Sequence, residues 1–279
     1  MIVFLHIPKT AGLTFQFILE NSLGISACHT NHTKHDVFSQ ADLDFAQRFF
    51  PRLRSIAGHN LIDPLRLSLP NAFYMTFLRE PVARVVSQYQ AKVVYGNNRK
   101  TFEDTLKTDE MFENLHVKLM AGERNLDKAK RFLERCSCVG LTEKFDLSLH
   151  VLERLSPYRL NLAYKRRNTA PDNTIKTSVM NDERLKQMAA DYNKLDMDLY
   201  AFAVSEIFPK LCARAGFQPT DRVPSYNRLP SELTWRRVLS RFYNHLLYRQ
   251  ICKVKSRHAA SGSKSTPRPP VVMFGANRK

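Results

Sequence analysis

Apolar residues in this chain come either in short unbroken runs or at a spacing of three to four, and the two patterns alternate. Ile2 to Ile7 is the first run. Its β-branched and aromatic residues suit a strand covered on both faces, as in a parallel sheet. Phe15, Ile18 and Leu19 then recur at helical spacing, with Thr14 at the N-cap position. The segment from Asp42 to Phe50 predicts a short helix, and "RSIAGHNLIDP" a second strand ending in a turn at Gly58 and His59. Ala72 to Leu78 predicts a core strand. Pro81, whose missing N–H costs nothing in a first turn, opens the next helix, with Val82, Val85, Val86 and Tyr89 inward.

Residues 101–135 read as short helices with Phe102, Leu106, Phe112, Leu115, Leu119, Phe132 and Leu133 as their apolar faces. Val139 and Leu141 end a further strand, and Phe145, Leu149, Leu152 and Leu155 stripe the helix after it. Residues 156–180 form a polar loop, and Asn181 to Phe217 two helices, the second from about Asp196. Strands alternating with helices predict an α/β fold with a central parallel sheet. Beyond Gly216 the pattern changes: Pro219, Pro224 and Pro230 mark a linker, and Ser231 caps a helix reaching to about Lys253. Trp235, Leu239, Phe242, Leu246 and Leu247 form its apolar face, with Arg236, Arg237, Arg241 and Arg249 around them. The predicted organisation is a domain over 1–217, a linker and basic amphipathic helix over 218–255, and a disordered basic tail over 256–279.

Charge sharpens this picture. The chain carries 43 Lys+Arg against 26 Asp+Glu, a net +17, and residues 253–279 contain no acid. Such an excess suits a polyanionic substrate, a nucleic acid or an anionic membrane surface. A basic amphipathic helix can lie on such a membrane or dock on its own domain. The five cysteines form no C-x-x-C pair; Cys136 and Cys138, two apart, face the same way as small apolar residues. Reduced thiols in a cytoplasmic setting are expected, because the first apolar run ends at His6 and is too short for a signal peptide or a membrane span.

The chemistry gathers at the strand ends. "HIPKTAG" places a small-residue turn between a strand and a helix start, where unpaired N–H groups make an anion site. It is not a Walker A loop, because Lys9 comes early and Gly12 late. Arg79 and Glu80 sit at a second such junction, and Ser87 lies eight residues beyond Arg79, about two turns along the helix. His29, His32 and His35 fall three apart in "ACHTNHTKHD", but the segment lacks an apolar frame to hold them, so a solvated loop facing the substrate is expected rather than a metal site. His59 follows a strand end, where catalytic residues of open α/β sheets collect.

Three blocks, "HIPKTAGLTF", "AGHNLID" and "TFLREPVARVVSQY", resemble in order and spacing the sulfotransferase family that includes heparan sulfate 2-O-sulfotransferase and related carbohydrate sulfotransferases. "VGLTEKFDLSLHVLERL" and "YNKLDMDLYAFAV" fit the downstream part, so the resemblance covers roughly residues 2–215. It implies a P-loop-NTPase-like three-layer fold with a helical C-terminal extension, and 3'-phosphoadenosine 5'-phosphosulfate (PAPS) as sulfuryl donor. Lys9, Thr10, Ala11, Gly12, Leu13 and Thr14 would then hold the 5'-phosphosulfate, and Arg79 with Ser87 the 3'-phosphate. Arg167, in the run Lys165 to Arg167 followed by Asn168 and Thr169, would close over the nucleotide. His59 matches the family histidine that serves as base; the second histidine some relatives carry two residues earlier is Ala57 here.

The expected reaction moves a sulfuryl group from PAPS to a hydroxyl of a glycan or other, possibly polyanionic, acceptor. No metal and no nucleic acid are expected to take part. A small-molecule kinase of the P-loop type and a basic nucleic-acid-binding protein are the alternatives.

Overall fold

The computed structural model describes residues 1–33, 35–165, 173–227 and 234–253. Five strands, β1 (Ile2–Leu5), β2 (Ala27–His29), β3 (Ser55–Gly58), β4 (Phe73–Leu78) and β5 (Cys138–Leu141), form one parallel sheet in the order β2-β3-β1-β4-β5. Every residue of these strands is buried, as expected of a sheet covered on both faces. The helices are α1 (Gly12–Leu23), α2 (Gln40–Phe49), α3 (Pro81–Gly96), α4 (Phe102–Thr108), α5 (Leu115–Ala121), α6 (Leu126–Arg135), α7 (Phe145–Leu155), α8 (Thr174–Asn181), α9 (Glu183–Tyr192), α10 (Lys194–Phe202), α11 (Phe208–Ala215) and α12 (Trp235–Arg241). The sheet with its covering helices makes the mixed α/β, three-layer architecture expected from the sequence.

The strand order decides where a ligand can sit. From β1 the chain moves through β2 and β3 on one side, then crosses to β4 and β5 on the other. The carboxyl ends of β3, β1 and β4 are therefore neighbours at a topological switch point, where open α/β sheets leave a crevice. Leu5 pairs with Gly58 on one side and Thr76 on the other. The Thr76 hydroxyl donates to the Leu5 carbonyl at 3.0 Å, and the His6 N–H to the Gly58 carbonyl at 3.2 Å.

β2 was not foreseen. Its three residues lie in the stretch expected to be a solvated loop, yet Cys28, His29, Thr30 and Thr33 are buried. Asn60, just beyond β3, explains why: its side-chain amide donates to the Thr30 and His35 carbonyls and to the Thr33 hydroxyl, and its carbonyl oxygen accepts from the Thr30 hydroxyl at 2.5 Å. Gly58 is required there, since a Cβ would fall 2.0 Å from the Thr30 hydroxyl oxygen.

The last helix also differs from expectation. Its first turn is capped by Thr234, which accepts from the Arg237 N–H at 3.3 Å; Ser231 lies outside the described residues. After a wide-wound stretch at Phe242–Tyr248 it continues to Lys253. Ser240, Asn244, Tyr248 and Cys252 form its buried ridge, while Trp235, Leu239, Phe242, Leu246 and Leu247, the apolar face in the sequence, are exposed. The docking is specific. The Asn244 amide donates to the Ala27 carbonyl at 2.8 Å and its oxygen accepts from the His29 N–H at 2.9 Å, so one side chain completes the ladder of the edge strand. Tyr248 packs on Phe45, Phe49 and Phe50, and Arg237 reaches Glu20.

The expected linker is strapped to α7: the Tyr226 N–H donates to Asp146, and the Pro219 and Pro224 carbonyls accept from Lys144 and His150. Residues 254–279, including the expected tail, lie outside the described residues.

Candidate active site at the switch point

The β1–α1 turn bends through two non-glycine residues in the left-handed region, Lys9 (φ 69°) and Ala11 (φ 63°). Such residues carry a conformational cost that is kept where the backbone has to be aimed. Between them Thr10 is fully buried, its hydroxyl donating to the Ile7 carbonyl at 2.9 Å. That hydroxyl braces the turn, so Thr10 has its backbone N–H left to offer an anion. α1 starts at Gly12, with Ala11 as the residue before it and no side-chain cap. Thr14, expected at the cap, lies inside the first turn, and its N–H donates to the Ala11 carbonyl. The Gly12 and Leu13 N–H groups find no acceptor among the described residues. An uncapped start with unpaired N–H groups attracts negative charge. Leu13 itself is 49% exposed.

Gly12 is dictated by His6. A Cβ on Gly12 would lie 1.8 Å from the His6 ring, which is buried between this helix start and the His59 ring at a centroid distance of 4.0 Å. His6 was read only as the end of a strand; nothing in its sequence context signals that the ring turns under the catalytic candidate.

Lys9 and Arg79 meet. The Arg79 guanidinium donates to the Lys9 carbonyl at 3.2 Å across a sequence separation of 70 residues. Both side chains are half-buried, and burial lowers both pKa values, with the neighbouring guanidinium lowering Lys9 further. The Lys9 ammonium has no carboxylate partner among the described residues. Two cations gathered at an unpaired helix start form a site built for an anion.

At the second junction Glu80 caps α3, its carboxylate accepting from the Val82 and Ala83 N–H groups at 2.9 and 2.6 Å. Glu143, just past β5, accepts from the Glu80 N–H and from the Tyr200 hydroxyl. Ser87 is partly exposed on α3, and its hydroxyl makes no hydrogen bond among the described residues. Arg84, one turn before it, is fully buried, donates to the Met111 carbonyl and has its pKa lowered by burial to about 10. Arg167, Asn168 and Thr169 lie outside the described residues.

His59 is held from two sides. Its backbone N–H donates to the Asn31 side chain at 2.9 Å, and its Nδ1 lies 2.5 Å from the His6 carbonyl. A carbonyl only accepts, so Nδ1 carries the proton and Nε2 keeps its lone pair, the tautomer a general base requires. Burial lowers the pKa, against the opposing effect of the His6 carbonyl. At neutral pH the ring is uncharged. Ala57 is buried in β3.

The three histidines of the β2 loop part company. His35 Nδ1 bonds Asp42 at 2.9 Å. His29 and His32 stay together and are joined by His245 from the last helix. Burial lowers His32 to about 3 and also lowers His245. A surface hollow of about 1230 Å³ is lined by Asn21, Ser22 and Ser156, at the far ends of α1 and α7; neither Lys9, His59, Arg79 nor Ser87 borders it.

Residues 1–131 match the family model described as Sulfotransferase family. The matched span takes in β1 to β4 and all three junctions that carry Lys9, His59 and Arg79, and it ends inside α6. This similarity supports sulfuryl transfer as the chemistry of that half of the chain. No curated protein matches the chain. Among the described residues no helix is long and apolar enough to cross a membrane.

Proposed function

We propose that the protein is a PAPS-dependent sulfotransferase, of the kind that includes heparan sulfate 2-O-sulfotransferase, transferring sulfate to a hydroxyl of an anionic glycan. The observation that carries this reading is the contact between Arg79 and the Lys9 carbonyl, which joins two strand ends into one cationic site. Lys9 and the unpaired N–H groups of Gly12 and Leu13 would meet the charge that develops on the departing phosphate, a role positioned donors perform without reorganising. Arg79, with Ser87, would receive the 3'-phosphate; a guanidinium fork matches that group in geometry and charge. His59 Nε2 would take the proton of the attacking hydroxyl, an assistance of roughly 10²–10⁴-fold. His6 acts through His59, fixing its tautomer. The basic surface suits an acidic acceptor, and the five buried free cysteines suit a reducing, cytoplasmic setting.

The test is transfer of labelled sulfate from PAPS to a panel of oligosaccharides, with binding of the product nucleotide PAP measured in parallel. His59→Ala is expected to bind PAP as the wild type does and to lose at least about 10²-fold in turnover. Arg79→Ala is expected to lose PAP binding. Retained PAP affinity in Arg79→Ala would remove the nucleotide from this site, and retained turnover in His59→Ala would remove the base. Because His59 must be unprotonated and its pKa lies below the ordinary 6.5, kcat/KM should hold level at neutral pH and fall only below about 6.5.

A further inference from the structure

We propose that His29, His32 and His245 form a binding site for a divalent transition metal of the zinc class, at the seam between the edge strand and the last helix. One ring nitrogen from each lies within 4.8 Å of the other two. His32 Nε2 is buried and has no hydrogen-bond partner, a costly state for a polar atom unless something else satisfies it. The Glu20 carboxylate stands 3.1 Å from His29 Nε2 and supplies the cluster's negative charge.

Three imidazoles without a thiolate favour Zn²⁺, Co²⁺, Ni²⁺ or Cu²⁺ over Mg²⁺ or Ca²⁺. Tetrahedral bonds of about 2.0–2.1 Å put ligand nitrogens about 3.4 Å apart, so the rings close by on the order of 1 Å, within reach of side-chain rotation. The scaffold is fixed on both sides: β2 holds His29, the Asn60 network holds the loop bearing His32, and Asn244 beside His245 is bonded to the strand. The fourth position is left to water or to an oxygen of a ligand.

The experiment uses tag-free full-length protein freed of metal by chelation, titrated with Co²⁺ and with Zn²⁺. One equivalent of Co²⁺ should bind with the visible absorption of tetrahedral coordination. Excess Zn²⁺ should raise Tm by several degrees, because it binds only the folded state. His32→Gln and His245→Gln should weaken binding at least tenfold and abolish the Tm shift, while His35→Gln, whose ring belongs to Asp42, should match the wild type. Circular dichroism confirms that each variant is folded. Absence of saturable binding, or equal binding by His245→Gln, overturns the site. Neither result bears on PAP binding, which tests the sulfotransferase reading separately.

A second observation stands independently. We infer that the exposed ridge Trp235, Leu239, Phe242 and Leu246 of the last helix lies on an anionic lipid surface. The helix is already docked by its opposite ridge, so these side chains are not waiting for their own core. Arg236, Arg241 and Arg249 are exposed on the same helix, and no acidic residue follows Thr234 in the sequence. Apolar and aromatic groups bordered by cations fit an interface of headgroups and acyl chains. Sedimentation with phosphatidylcholine vesicles containing phosphatidylserine should retain the wild type, and vesicles of phosphatidylcholine alone should not. Phe242→Ser/Leu246→Ser should lower binding at least tenfold without lowering Tm. Equal retention of this variant, no retention of the wild type, or lipid-independent dimers lost in the variant would overturn the inference.

Discussion

The two strand-to-helix junctions flanking the crevice treat their helix starts in opposite ways. α3 is closed by its own carboxylate, Glu80, which satisfies two N–H groups. α1 has Ala11 in the same place, a residue with nothing to cap with, held in the left-handed region. The same backbone problem thus has a structural solution at one junction and is left open at the other. The open one is also where Lys9 and Arg79 converge. A helix start that is uncapped, strained and ringed by cations is arranged for a ligand, whereas the capped one serves as scaffold.

Several changes would sharpen or break that contrast. The largest effect is expected from Lys9→Ala, which should cost turnover about 10²–10³-fold with the fold intact, by analogy with loss of one preorganised donor; steady-state assays would show it, and an unaffected rate would make the open junction merely an unfinished cap. Gly12→Ala should cost about 1–3 kcal/mol of stability from overpacking against His6, together with lost turnover as the His6–His59 pair is displaced. Denaturant titration alongside the assay separates the two. Glu80→Ala should cost about 1–2 kcal/mol as the α3 cap is lost and leave measurable turnover. The smallest effect belongs to Ala11→Gly: relief of the left-handed strain should roughly offset the added freedom of the unfolded chain, leaving stability within about 1 kcal/mol.

Acid should weaken the fold through the buried histidines. His6 and His59 have lowered pKa values, and His116 is lowered to about 4, in each case by burial first. The unfolded chain therefore binds more protons than the folded one below pH 6.5. Each such histidine removes up to about 1.4 kcal/mol per pH unit as pH falls from 6.5 toward its folded value, and the stabilisation is fully present above 6.5. Tm measured from pH 7.5 to 4.5 should fall steeply below 6.5.

What was legible in the sequence followed from burial on both sides. β1, β3, β4 and β5 are apolar runs because both faces of a parallel sheet are covered, and the three strand ends of the site follow directly from them. β2 is hidden because it is an edge strand of three residues whose burial comes from Asn60 and Asn244, distant in sequence. The docking face of the last helix was hidden for a related reason. It docks through Ser240, Asn244, Tyr248 and Cys252, where hydrogen bonding to a strand edge outweighs burial of leucine, and hydrophobic periodicity carries no sign of that. His245 could not join His29 and His32 on spacing alone, since the chain brings it back over more than two hundred residues.

That long return has a consequence for how the protein is made. β2 leaves the ribosome with its outer N–H and C=O groups bare, and they remain so until Asn244 arrives, 215 residues after the His29 N–H it receives. Through most of synthesis the sheet offers a sticky margin to any other extended segment. Shortened products that stop before Trp235 should therefore be the aggregating species in an expressing cell, even though every residue of the proposed catalytic crevice is already present in them.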